Sequence, residues 1–487
     1  MQQTVLIRFG AELAIKARRT RQNFLGRLGR NMRDALSLTN EEFELRTGWN
    51  RFVATIRSDA QLHALTRVFG VSSISVIDAV VPADLDAIVA RGRELYAERV
   101  RGRRYAVRAR RHGRHGFASR DIEVELGRAL NEGATVDLRH PDVTVHVEVR
   151  EDEAFLFAER LDGPGGLPLG VEGSAISLIS GGYDSAVSAW LMLKRGVSLD
   201  YVFCNLGGDA YERAVVQVAK VLADDWSWGS RPRLHVVDFG PALDELRSKA
   251  TQRYWQVVLK RLMYRVASAI AAERDAQAIV TGEALGQVSS QTLTNLRAIE
   301  PAAAFPVFRP LIGFDKEEII ARARHVGTAA LSEQVKEYCA IAPGHPVTAA
   351  PVDSVEREEA KLDLTVLERA VADRKVLDLR ALTAVDLVQP YLFIDDVPAD
   401  AIVLDCRPEP HYRAWHWPGA THWDEWELLN RFEKLDRDPK YVLYCAHGIQ
   451  SAYLAERMQR SGYEAYSFRG GAGALRKLGE TSGAAAR

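Results

Sequence analysis

The chain has 487 residues, of which 47% are hydrophobic and 26% are charged, and its formal net charge at pH 7 is −1. This length is too great for one core, so roughly two to four domains are expected, and the composition is that of an ordinary soluble protein. No stretch approaches the roughly eighteen consecutive apolar residues of a membrane span. The N-terminus has no basic region followed by an apolar core, so no signal peptide is predicted.

The first 165 residues alternate strands and helices. A strand (4–9), a basic helix (about 18–38) and a second strand (51–56) predict a small α+β unit over residues 1–60. Residues 61–165 continue this alternation and form a second unit. The turn-rich stretch 163–170, Gly-Pro-Gly-Gly-Leu-Pro-Leu-Gly, is the clearest boundary in the chain.

An arginine run distinguishes this second unit. Residues 1–170 carry 27 Lys+Arg against 23 Asp+Glu, and the 22 residues from Arg99 to Arg120 contain nine arginines and no acid. A solvated face is one interpretation. RNA binding is the favoured one, because arginine forks bind phosphates bidentately and the loop 110–116 suits such contacts. The candidate RNA-binding residues are Arg104, Arg108, Arg110, Arg111 and Arg114.

Residues 173–342 read as β-α-β-α. Apolar strands at 176–179, 199–204, 233–237 and 278–280 alternate with helical segments, which predicts a doubly wound parallel sheet with its ligand at the carboxyl ends of the strands. Residues 343–394 begin Pro/Ala-rich, become charged, and are interpreted as a linker. A last α/β unit is expected over residues 395–482.

A phosphate-binding loop follows the first of these strands. Ser180-Gly181-Gly182-Tyr183-Asp184-Ser185 joins a buried strand to a helix, so backbone N–H groups and the positive end of a helix dipole converge there. The loop lacks the G-K-[ST] ending of a Walker motif and the G-x-G-x-x-G pattern of a dinucleotide fold. It resembles the pyrophosphate loop of ATP pyrophosphatases, in which Asp184 would bind Mg²⁺ or orient the loop. A tight structural turn is the alternative.

A cysteine loop characterises the last unit. Cys445 follows the apolar strand 441–444 and precedes a helix, a position that stabilises a thiolate or a persulfide anion. A lone buried cysteine is more often a small hydrophobe. However, the segments 405–409 (D-C-R-P-E) and 416–420 (H-W-P-G-A) resemble landmarks of rhodanese-like domains, whose C-x-x-G-x-x-[SR] loop carries the catalytic cysteine. Of the other cysteines, Cys204 and Cys406 are interpreted as structural. The spacing of Cys339 does not exclude a passive thiol without a chemical role.

Four cysteines are too few and too scattered for a disulfide framework or a zinc site. A reducing cytoplasm is therefore expected, in which any disulfide would be catalytic rather than structural.

Taken together, these motifs resemble the tRNA 4-thiouridine synthase (tRNA sulfurtransferase) family in its long bacterial form, over essentially the whole chain. The most specific stretches are 178–185, 205–208 and 280–296. The resemblance implies a ferredoxin-like α+β domain (1–60), a THUMP RNA-binding α/β domain (61–165), an ATP pyrophosphatase (PP-loop) domain (173–342), the linker (343–394) and a rhodanese-like α/β domain (395–482).

The resemblance also implies the reaction and its residues. ATP and Mg²⁺ would adenylate uridine 8 of tRNA, and sulfur from a persulfide supplied by a cysteine desulfurase would give 4-thiouridine. Cys445 would carry the persulfide, and Cys339 would attack it to leave a Cys339–Cys445 disulfide that a cellular reductant reopens. The implied ATP contacts are Leu178, Ile179, Lys260, Gly282 and Gln291, in addition to Ser180, Gly181, Gly182, Asp184 and Ser185 of the loop. A thiazole sulfur-carrier protein and a homodimer are further implied partners.

One departure and three alternatives remain open. The cysteine loop lacks the arginine that many rhodaneses place after the cysteine, and His447 would replace part of that charge. The alternatives are an adenylating ligase, a sulfur relay for thiazole synthesis with vestigial RNA domains, and a non-catalytic tRNA-binding module. A ligase needs neither Cys339 nor Cys445. The arginine run and the complete ATP loop argue against a protein that only relays sulfur. A non-catalytic tRNA-binding module leaves the phosphate loop and the cysteine loop unexplained.

Overall fold

The computed structural model describes residues 2–39, 41–48, 51–334, 346–382, 392–407, 409–423, 427–428, 431–445 and 449–481. The chain forms two compact units. Unit 1 contains residues 1–172 with the short segments 194–196 and 228–230, and unit 2 contains the rest. No helix among the described residues is long and apolar enough to cross a membrane.

Unit 1 contains two five-stranded sheets with strand orders β10-β4-β1-β3-β2 and β5-β9-β8-β6-β7. Its strands are β1 (Gln3–Phe9), β2 (Glu44–Thr47), β3 (Arg51–Ile56), β4 (Val71–Ile77), β5 (Ala79–Pro82), β6 (Arg104–His112), β7 (Thr135–Val136), β8 (Val143–Arg150), β9 (Glu153–Phe157) and β10 (Glu159–Asp162). Its helices are α1 (Ala11–Ala14), α2 (Arg18–Leu36), α3 (Asp59–Leu65), α4 (Leu85–Val100) and α5 (Ser119–Leu130).

The first sheet extends past the boundary expected near residue 60. Strand β4 pairs antiparallel with β1, and β10 pairs with β4, so residues 71–77 and 159–162 belong to this sheet. Apolar side chains of α2 such as Phe24, Leu28 and Met32 pack on β1 and β3 to form its core. The boundary expected near residue 60 therefore falls within the first domain. The sequence did not show this, because the partner of β4 is β1, about 65 residues earlier in the chain.

A buried ion cluster joins the two sheets of unit 1. Glu148 on β8 is 5% exposed and accepts hydrogen bonds of 2.7 Å from Arg8 of β1 and from Arg51 of β3. Arg150 adds a third contact at 2.9 Å. A buried carboxylate without partners would be costly, so this cluster couples the folding of the first sheet to that of the second.

Unit 2 contains the predicted parallel sheet, with order β15-β14-β11-β12-β13-β16. Its strands are β11 (Ser174–Leu178), β12 (Ser198–Asn205), β13 (Arg233–Asp238), β14 (Ile279–Val280), β15 (Val307–Phe308) and β16 (Lys375–Asp378). The helices are α6 (Tyr183–Lys194), α7 (Gly208–Trp226), α8 (Gly240–Lys249), α9 (Trp255–Glu273), α10 (Leu293–Ile299), α11 (Lys316–Val326), α12 (Ala329–Gln334), α13 (Val352–Glu359) and α14 (Thr365–Ala372).

The described part of the segment interpreted as a linker is built into this domain. Helices α13 and α14 pack on α9, and β16 pairs antiparallel with β13 at the edge of the sheet. Glu359 of α13 is 4% exposed and forms ion pairs of 2.7 Å with Arg261 and 2.8 Å with Arg265. The interpretation of this segment as a linker is therefore wrong for its described part, because charged side chains there form a buried ion pair with the ATP-domain helix α9.

The last domain is a five-stranded parallel sheet of order β17-β21-β20-β18-β19. Its strands are β17 (Phe393–Ile394), β18 (Ile402–Asp405), β19 (Thr421–His422), β20 (Tyr441–Tyr444) and β21 (Ala465–Phe468). Its helices are α15 (Glu409–Ala414), α16 (Ile449–Arg460) and α17 (Gly471–Thr481). All strands point the same way, so loops at their carboxyl ends lie at one edge.

Candidate functional site

The phosphate loop is a tight turn between β11 and α6. Gly181 adopts a φ of 78°, a left-handed conformation that glycine takes without steric cost. Ser185 holds the turn, because its hydroxyl accepts from the Ser180 amide (3.2 Å) and donates to the Gly182 carbonyl (3.1 Å). The turn also stays close to α7, where the Tyr211 hydroxyl donates to the Ser180 carbonyl at 3.0 Å. The strand–loop–helix arrangement predicted from sequence is present.

A cavity of about 430 Å³ opens beside this loop. It is lined by residues from β11, β12, α9 and the loop that follows β14. Eight of the ten residues predicted to contact ATP lie in its wall, namely Leu178, Ile179, Ser180, Asp184, Ser185, Lys260, Gly282 and Gln291. Residues as distant in sequence as 178 and 291 thus meet at the carboxyl ends of the strands, as expected for a doubly wound sheet.

One side of the cavity is apolar. Val202, Phe203, Leu206 and Met263 line it together with Tyr211, whose ring contacts Phe203 edge-on at 5.1 Å. Such a wall suits a flat aromatic group. The cavity therefore combines apolar side chains with the polar groups of the phosphate loop.

Cys204 belongs to this wall, although the sequence suggested only a structural role for it. Burial raises the pKa of the Cys204 thiol, which therefore stays protonated at neutral pH. A protonated buried thiol is a small apolar surface rather than a nucleophile. Its contribution to the cavity is shape.

Asp184 is held by two residues that sequence reasoning missed. It is 4% exposed, and its Oδ1 lies 2.9 Å from Lys316 Nζ while its Oδ2 accepts from Gln287 Nε2 at 2.8 Å. Lys316 is the first residue of α11, 132 positions along the chain, and no local pattern announces it. Only the tertiary structure brings this ammonium group to the phosphate loop.

Gly282 is required by a close approach of two loops. A Cβ at this position would lie 2.6 Å from the Asp184 carbonyl carbon and 2.6 Å from the Ser185 nitrogen. The loop after β14 therefore packs directly on the backbone of the phosphate loop. This contact gives a physical reason for a glycine where the sequence resemblance placed an ATP contact.

A second buried carboxylate lies in the cavity wall next to Gly282. Glu283 is 2% exposed, and its Oε2 accepts hydrogen bonds from Tyr264 (2.6 Å) and from Arg309 (2.8 Å). Burial by itself raises the pKa of Glu283, but the charges of Lys260 and Arg309 and the Tyr264 hydroxyl outweigh burial and hold the pKa below its usual range. Glu283 is therefore ionised at neutral pH and faces Lys260 across the cavity wall. The sequence singled out the surrounding loop but not this residue.

The second predicted site begins at the end of β20. Cys445 is 2% exposed, and its Sγ accepts a hydrogen bond from Ser451 of α16 at 3.5 Å. The Ser451 hydroxyl also lies 2.9 Å from the hydroxyl of Ser467 on β21. Both serines are fully buried. Helix α16 packs against α7 of the domain that holds the cavity.

A rigid polar layer supports the strand that precedes Cys445. Asp405 is fully buried and accepts from Arg407 at 2.6 Å and from the Tyr444 hydroxyl at 2.6 Å. The Trp417 amide donates to the Tyr444 hydroxyl at 3.0 Å. The D-x-R and H-x-P-G landmarks seen in the sequence are thus structural: they fix β18 and β20 beneath the cysteine.

Two predicted features of the sulfur site lie outside the described residues. They are Cys339 and His447, whose roles stay predictions. Cys406, which follows β18, is buried; its Sγ lies 3.9 Å from the Leu404 carbonyl, and its amide donates to the Tyr444 carbonyl at 2.9 Å, in keeping with a structural role.

The predicted RNA-binding arginines do not form one surface element. Arg104, Arg108 and Arg110 alternate along β6, so they share one face, whereas Arg111 belongs to the opposite face and donates to the Gly113 carbonyl. Arg114 follows β6 in an exposed loop. Arg104 forms an ion pair of 2.8 Å with Asp142, and Arg108 donates to the Leu138 carbonyl.

Arginines of both sheets lie near His146. Burial, together with the charges of Arg160, Arg8, Arg110 and Arg108, lowers the pKa of His146 to about 4. Arg8 and Arg160 belong to the first sheet, and Arg8 is paired with Glu148. A periodic sequence pattern could show the run but not these additional residues.

Comparison with known proteins gives a consistent result over the whole chain. Family models match for the ThiI ferredoxin-like domain (residues 4–75), the THUMP domain (82–159), the thiamine biosynthesis protein ThiI (170–364) and the rhodanese-like domain (392–477). Proteins named tRNA sulfurtransferase are similar: that of Desulfurococcus amylolyticus is 39% identical over 96% of this chain and 97% of its own. That of Pectobacterium atrosepticum is 36% identical over 94% and 98%.

A solved structure agrees with these relatives. A 4-thiouridine synthetase in complex with RNA and bound ATP aligns with a TM-score of 0.68 and 31% identity, covering 77% of this chain and 99% of its own. The similarity therefore includes most of the fold as well as the sequence.

Proposed function

The chain belongs to the tRNA sulfurtransferase family, an enzyme family, and from that premise we propose that it uses ATP and a cysteine-bound persulfide to convert uridine 8 of tRNA to 4-thiouridine. The observation that carries the proposal is the joint presence of a nucleotide-sized cavity at a pyrophosphate loop and a buried cysteine held by a serine hydroxyl. An adenylating ligase would need only the first, and a pure sulfur relay only the second.

ATP activates the base in this scheme. The C4 oxygen of uracil is a poor leaving group, so it first attacks the α-phosphorus of ATP, the α–β phosphoanhydride bond breaks, and pyrophosphate leaves. Negative charge on the transferring phosphate is stabilised by Lys260 and by loop amides, while Ser180 and Ser185 provide hydroxyls for the departing pyrophosphate. A sulfur nucleophile then attacks C4, and the C4–O bond breaks to release AMP.

Lys316 and Gln287 are proposed to keep the phosphate loop in its working shape. They satisfy both oxygens of the buried Asp184 carboxylate, which would otherwise repel the negatively charged triphosphate. The ammonium group of Lys316 is also close enough to contribute positive charge at the pyrophosphate end of the cavity. Asp184 is in this view an orienting residue as much as a ligand.

Magnesium would be held mainly by the nucleotide. Among the described residues, no group of three or more His, Cys, Asp or Glu side chains is arranged to hold a metal ion. Asp184 of the phosphate loop would be a candidate ligand, and a Mg²⁺ ion bound there would displace Lys316 or Gln287 from its carboxylate. This arrangement fits an ion that keeps waters and binds phosphate oxygens, where it would neutralise phosphate charge.

Sulfur would be delivered by Cys445. A cysteine desulfurase transfers a sulfur atom to the Cys445 thiolate, and the outer sulfur of this persulfide then reaches C4 by one of two routes. In the first route the outer sulfur attacks C4 directly, and Cys339 then attacks Cys445 Sγ, so that the S–S bond breaks and its electrons stay on the sulfur bonded to C4. In the second route Cys339 attacks Sγ first and frees sulfide, which attacks C4. Both routes leave a Cys339–Cys445 disulfide, which a cellular reductant reopens. The contact of α16 with α7 supports delivery within one chain.

Substrate binding is proposed to use unit 1. The face of β6 with Arg108 and Arg110, with Arg160 nearby, would contact tRNA phosphates and release their counterions. The ATP-bound relative was solved with RNA, which supports this assignment. A further proposed role is sulfur transfer to a sulfur-carrier protein for thiamine thiazole synthesis, which the description of the matching ThiI family supports.

The deciding experiment measures 4-thiouridine in tRNA after incubation with the purified protein, Mg-ATP, a cysteine desulfurase and cysteine. Wild type is compared with Cys445→Ala, with Asp184→Ala, and with Cys406→Ala as a matched control, since Cys406 is a buried cysteine of the same domain. We expect product with wild type and Cys406→Ala and none with the other two variants.

Other outcomes assign the protein differently. Product that persists in Cys445→Ala would remove the persulfide relay from the scheme. ATP cleavage and persulfide loading without any 4-thiouridine would contradict the RNA assignment, and the ligase or the thiazole relay would then explain the two sites.

A further inference from the structure

Two buried serines are linked to the sulfur atom of Cys445 by consecutive hydrogen bonds. Ser451 is the third residue of α16 and Ser467 lies in the middle of β21, beside the strand that ends at Cys445. Both side chains are fully buried, and the contacts run from Cys445 Sγ to Ser451 Oγ (3.5 Å) and on to Ser467 Oγ (2.9 Å). A serine adds little apolar surface to a core, and burial of its hydroxyl is costly unless the hydroxyl is hydrogen-bonded. The presence of the two buried serines is therefore explained by their hydrogen bonds.

The direction of these hydrogen bonds follows from counting protons. A serine hydroxyl has one proton and two lone pairs. When Ser451 donates its proton to the Cys445 sulfur, its oxygen can only accept in the contact with Ser467, so Ser467 must be the donor. A negatively charged sulfur therefore requires that Ser467 donates to Ser451 and that Ser451 donates to the sulfur. A protonated thiol is compatible with the reverse order.

The reaction places negative charge on this sulfur twice. Cys445 must be a thiolate to accept a sulfur atom, and it leaves as a thiolate when the outer sulfur of the persulfide is taken by an acceptor. In the second step the acceptor's electron pair forms a bond to the outer sulfur, and the Sγ–S bond breaks with its electrons remaining on Sγ. A donor aimed at Sγ stabilises both states, and hydrogen bonds to charged atoms are the strong ones.

We propose that Ser451 is a catalytic hydrogen-bond donor to the Cys445 thiolate, and that Ser467 is a positioning residue that orients the Ser451 proton toward the sulfur. This inference rests on the proposed function of Cys445 as persulfide carrier. It supplies a donor in a loop whose sequence lacks the arginine common in rhodaneses. The positioning effect passes through one hydroxyl, so it should be smaller than the effect of the donor itself.

The test is the rate at which the full-length protein gives up persulfide sulfur to cyanide. Each protein is loaded with polysulfide, and thiocyanate release is followed after subtraction of the Cys445→Ala background. Cyanide attacks the outer sulfur and leaves a Cys445 thiolate, so the measured step is the departure of Sγ. The variants are Ser451→Ala, Ser467→Ala and the matched pair Ser467→Thr and Ser467→Val, which differ by a hydroxyl in place of a methyl group.

We expect discharge about tenfold or more slower in Ser451→Ala and roughly three- to tenfold slower in Ser467→Ala and Ser467→Val, with Ser467→Thr close to wild type. Equal rates in Ser467→Thr and Ser467→Val would show that the Ser467 effect is one of packing and would overturn its positioning role. An unchanged rate in Ser451→Ala would overturn the donor.

A second measurement separates this inference from the proposed function. The rate of Cys445 alkylation by iodoacetamide at neutral pH, read by mass spectrometry, depends on the thiolate and on no sulfur transfer. If wild type loads no persulfide, the proposed carrier role fails. The hydrogen-bond chain from Ser467 to Cys445 would still be supported if Ser451→Ala is alkylated more slowly than wild type and Ser467→Val more slowly than Ser467→Thr. Equal alkylation rates in all variants would refute it. Thermal unfolding of each variant identifies any that do not fold, and the remaining members of the set decide.

Discussion

Replacement of Gly282 by alanine tests the contact that joins the two loops of the nucleotide cavity. Its φ lies outside the left-handed region, so alanine would cause no backbone strain, and only space opposes the substitution. The new Cβ would lie 2.6 Å from two backbone atoms of the phosphate loop, whereas ordinary contacts begin at 3.4 Å. To reach an ordinary contact the loops must therefore separate by about 0.8 Å.

A displacement of this size has a predictable consequence. Misplacement of about 1 Å in a catalytic site costs about a hundredfold in rate, and overpacking costs about 1–3 kcal/mol in the free energy of unfolding. For Gly282→Ala we expect ATP affinity, measured by calorimetry, to fall at least about tenfold, and 4-thiouridine formation to fall about a hundredfold.

Gly313→Ala is the matched control. It lies in the same domain, also has a φ outside the left-handed region, and its added Cβ would meet nothing within 4 Å. It should bind ATP as wild type does. A Gly282→Ala protein that binds ATP within twofold of wild type would show that the loop contact does not shape the nucleotide site, and the reasoning would be refuted.

Three further predictions concern charges. Lys316→Met removes a partner of the buried phosphate-loop carboxylate and should lower kcat/KM for ATP about a hundredfold, while Lys361→Met, an ion-paired lysine of equal 45% side-chain exposure, should leave it unchanged. Glu359→Gln should lower the free energy of unfolding by about 3–5 kcal/mol at pH 7, measured by urea denaturation. Arg110→Ala should weaken tRNA binding and reduce the slope of log K against log salt by about 1, whereas Arg104→Ala, whose side chain is already ion-paired, should have a smaller effect.

The Glu359 prediction carries a defined pH dependence. Burial by itself raises the pKa of this carboxyl, but hydrogen bonds from Arg265 and Arg261 outweigh burial and lower the pKa below its ordinary value of 4.5. The stabilising contribution of a carboxylate with a depressed pKa is complete above the ordinary value and disappears as the pH falls through the folded-state pKa. The difference between wild type and Glu359→Gln should therefore shrink below pH 4.5. A difference that stays constant down to pH 3 would contradict the ion-pair explanation.

Local sequence patterns were sufficient for the order of elements and for the strand, turn and helix around the phosphate loop. The segment 174–185 predicted its own strand, turn and helix because hydrophobic periodicity and glycine positions act over a few residues. The same holds for the strand before Cys445. The segment 343–394 was the opposite case: its composition suggested a linker, but in its described part Glu359 is buried against Arg261 and Arg265 and β16 extends the sheet.

The partners of each site could not be derived in this way. Lys316 and Gln287 reach Asp184 from 132 and 103 positions away, and Ser467 reaches Ser451 from a neighbouring strand. Lys316, Gln287 and Ser467 have no periodic or spacing signal, because their roles depend on which strands and helices pack side by side. Ser451, in contrast, occupies the last position of the C-x-x-G-x-x-[SR] pattern.

The sequence by itself therefore determined the domain order, the parallel sheet, and the strand, turn and helix of residues 174–185, since each is specified by residues close together in the chain. Only the tertiary structure decided which charges neutralise Asp184, why position 282 must be glycine, and which hydroxyls are aimed at the sulfur of Cys445. The physical reason is that hydrogen bonds and steric contacts act over a few ångströms in space, and the folded chain brings together groups that lie far apart in sequence.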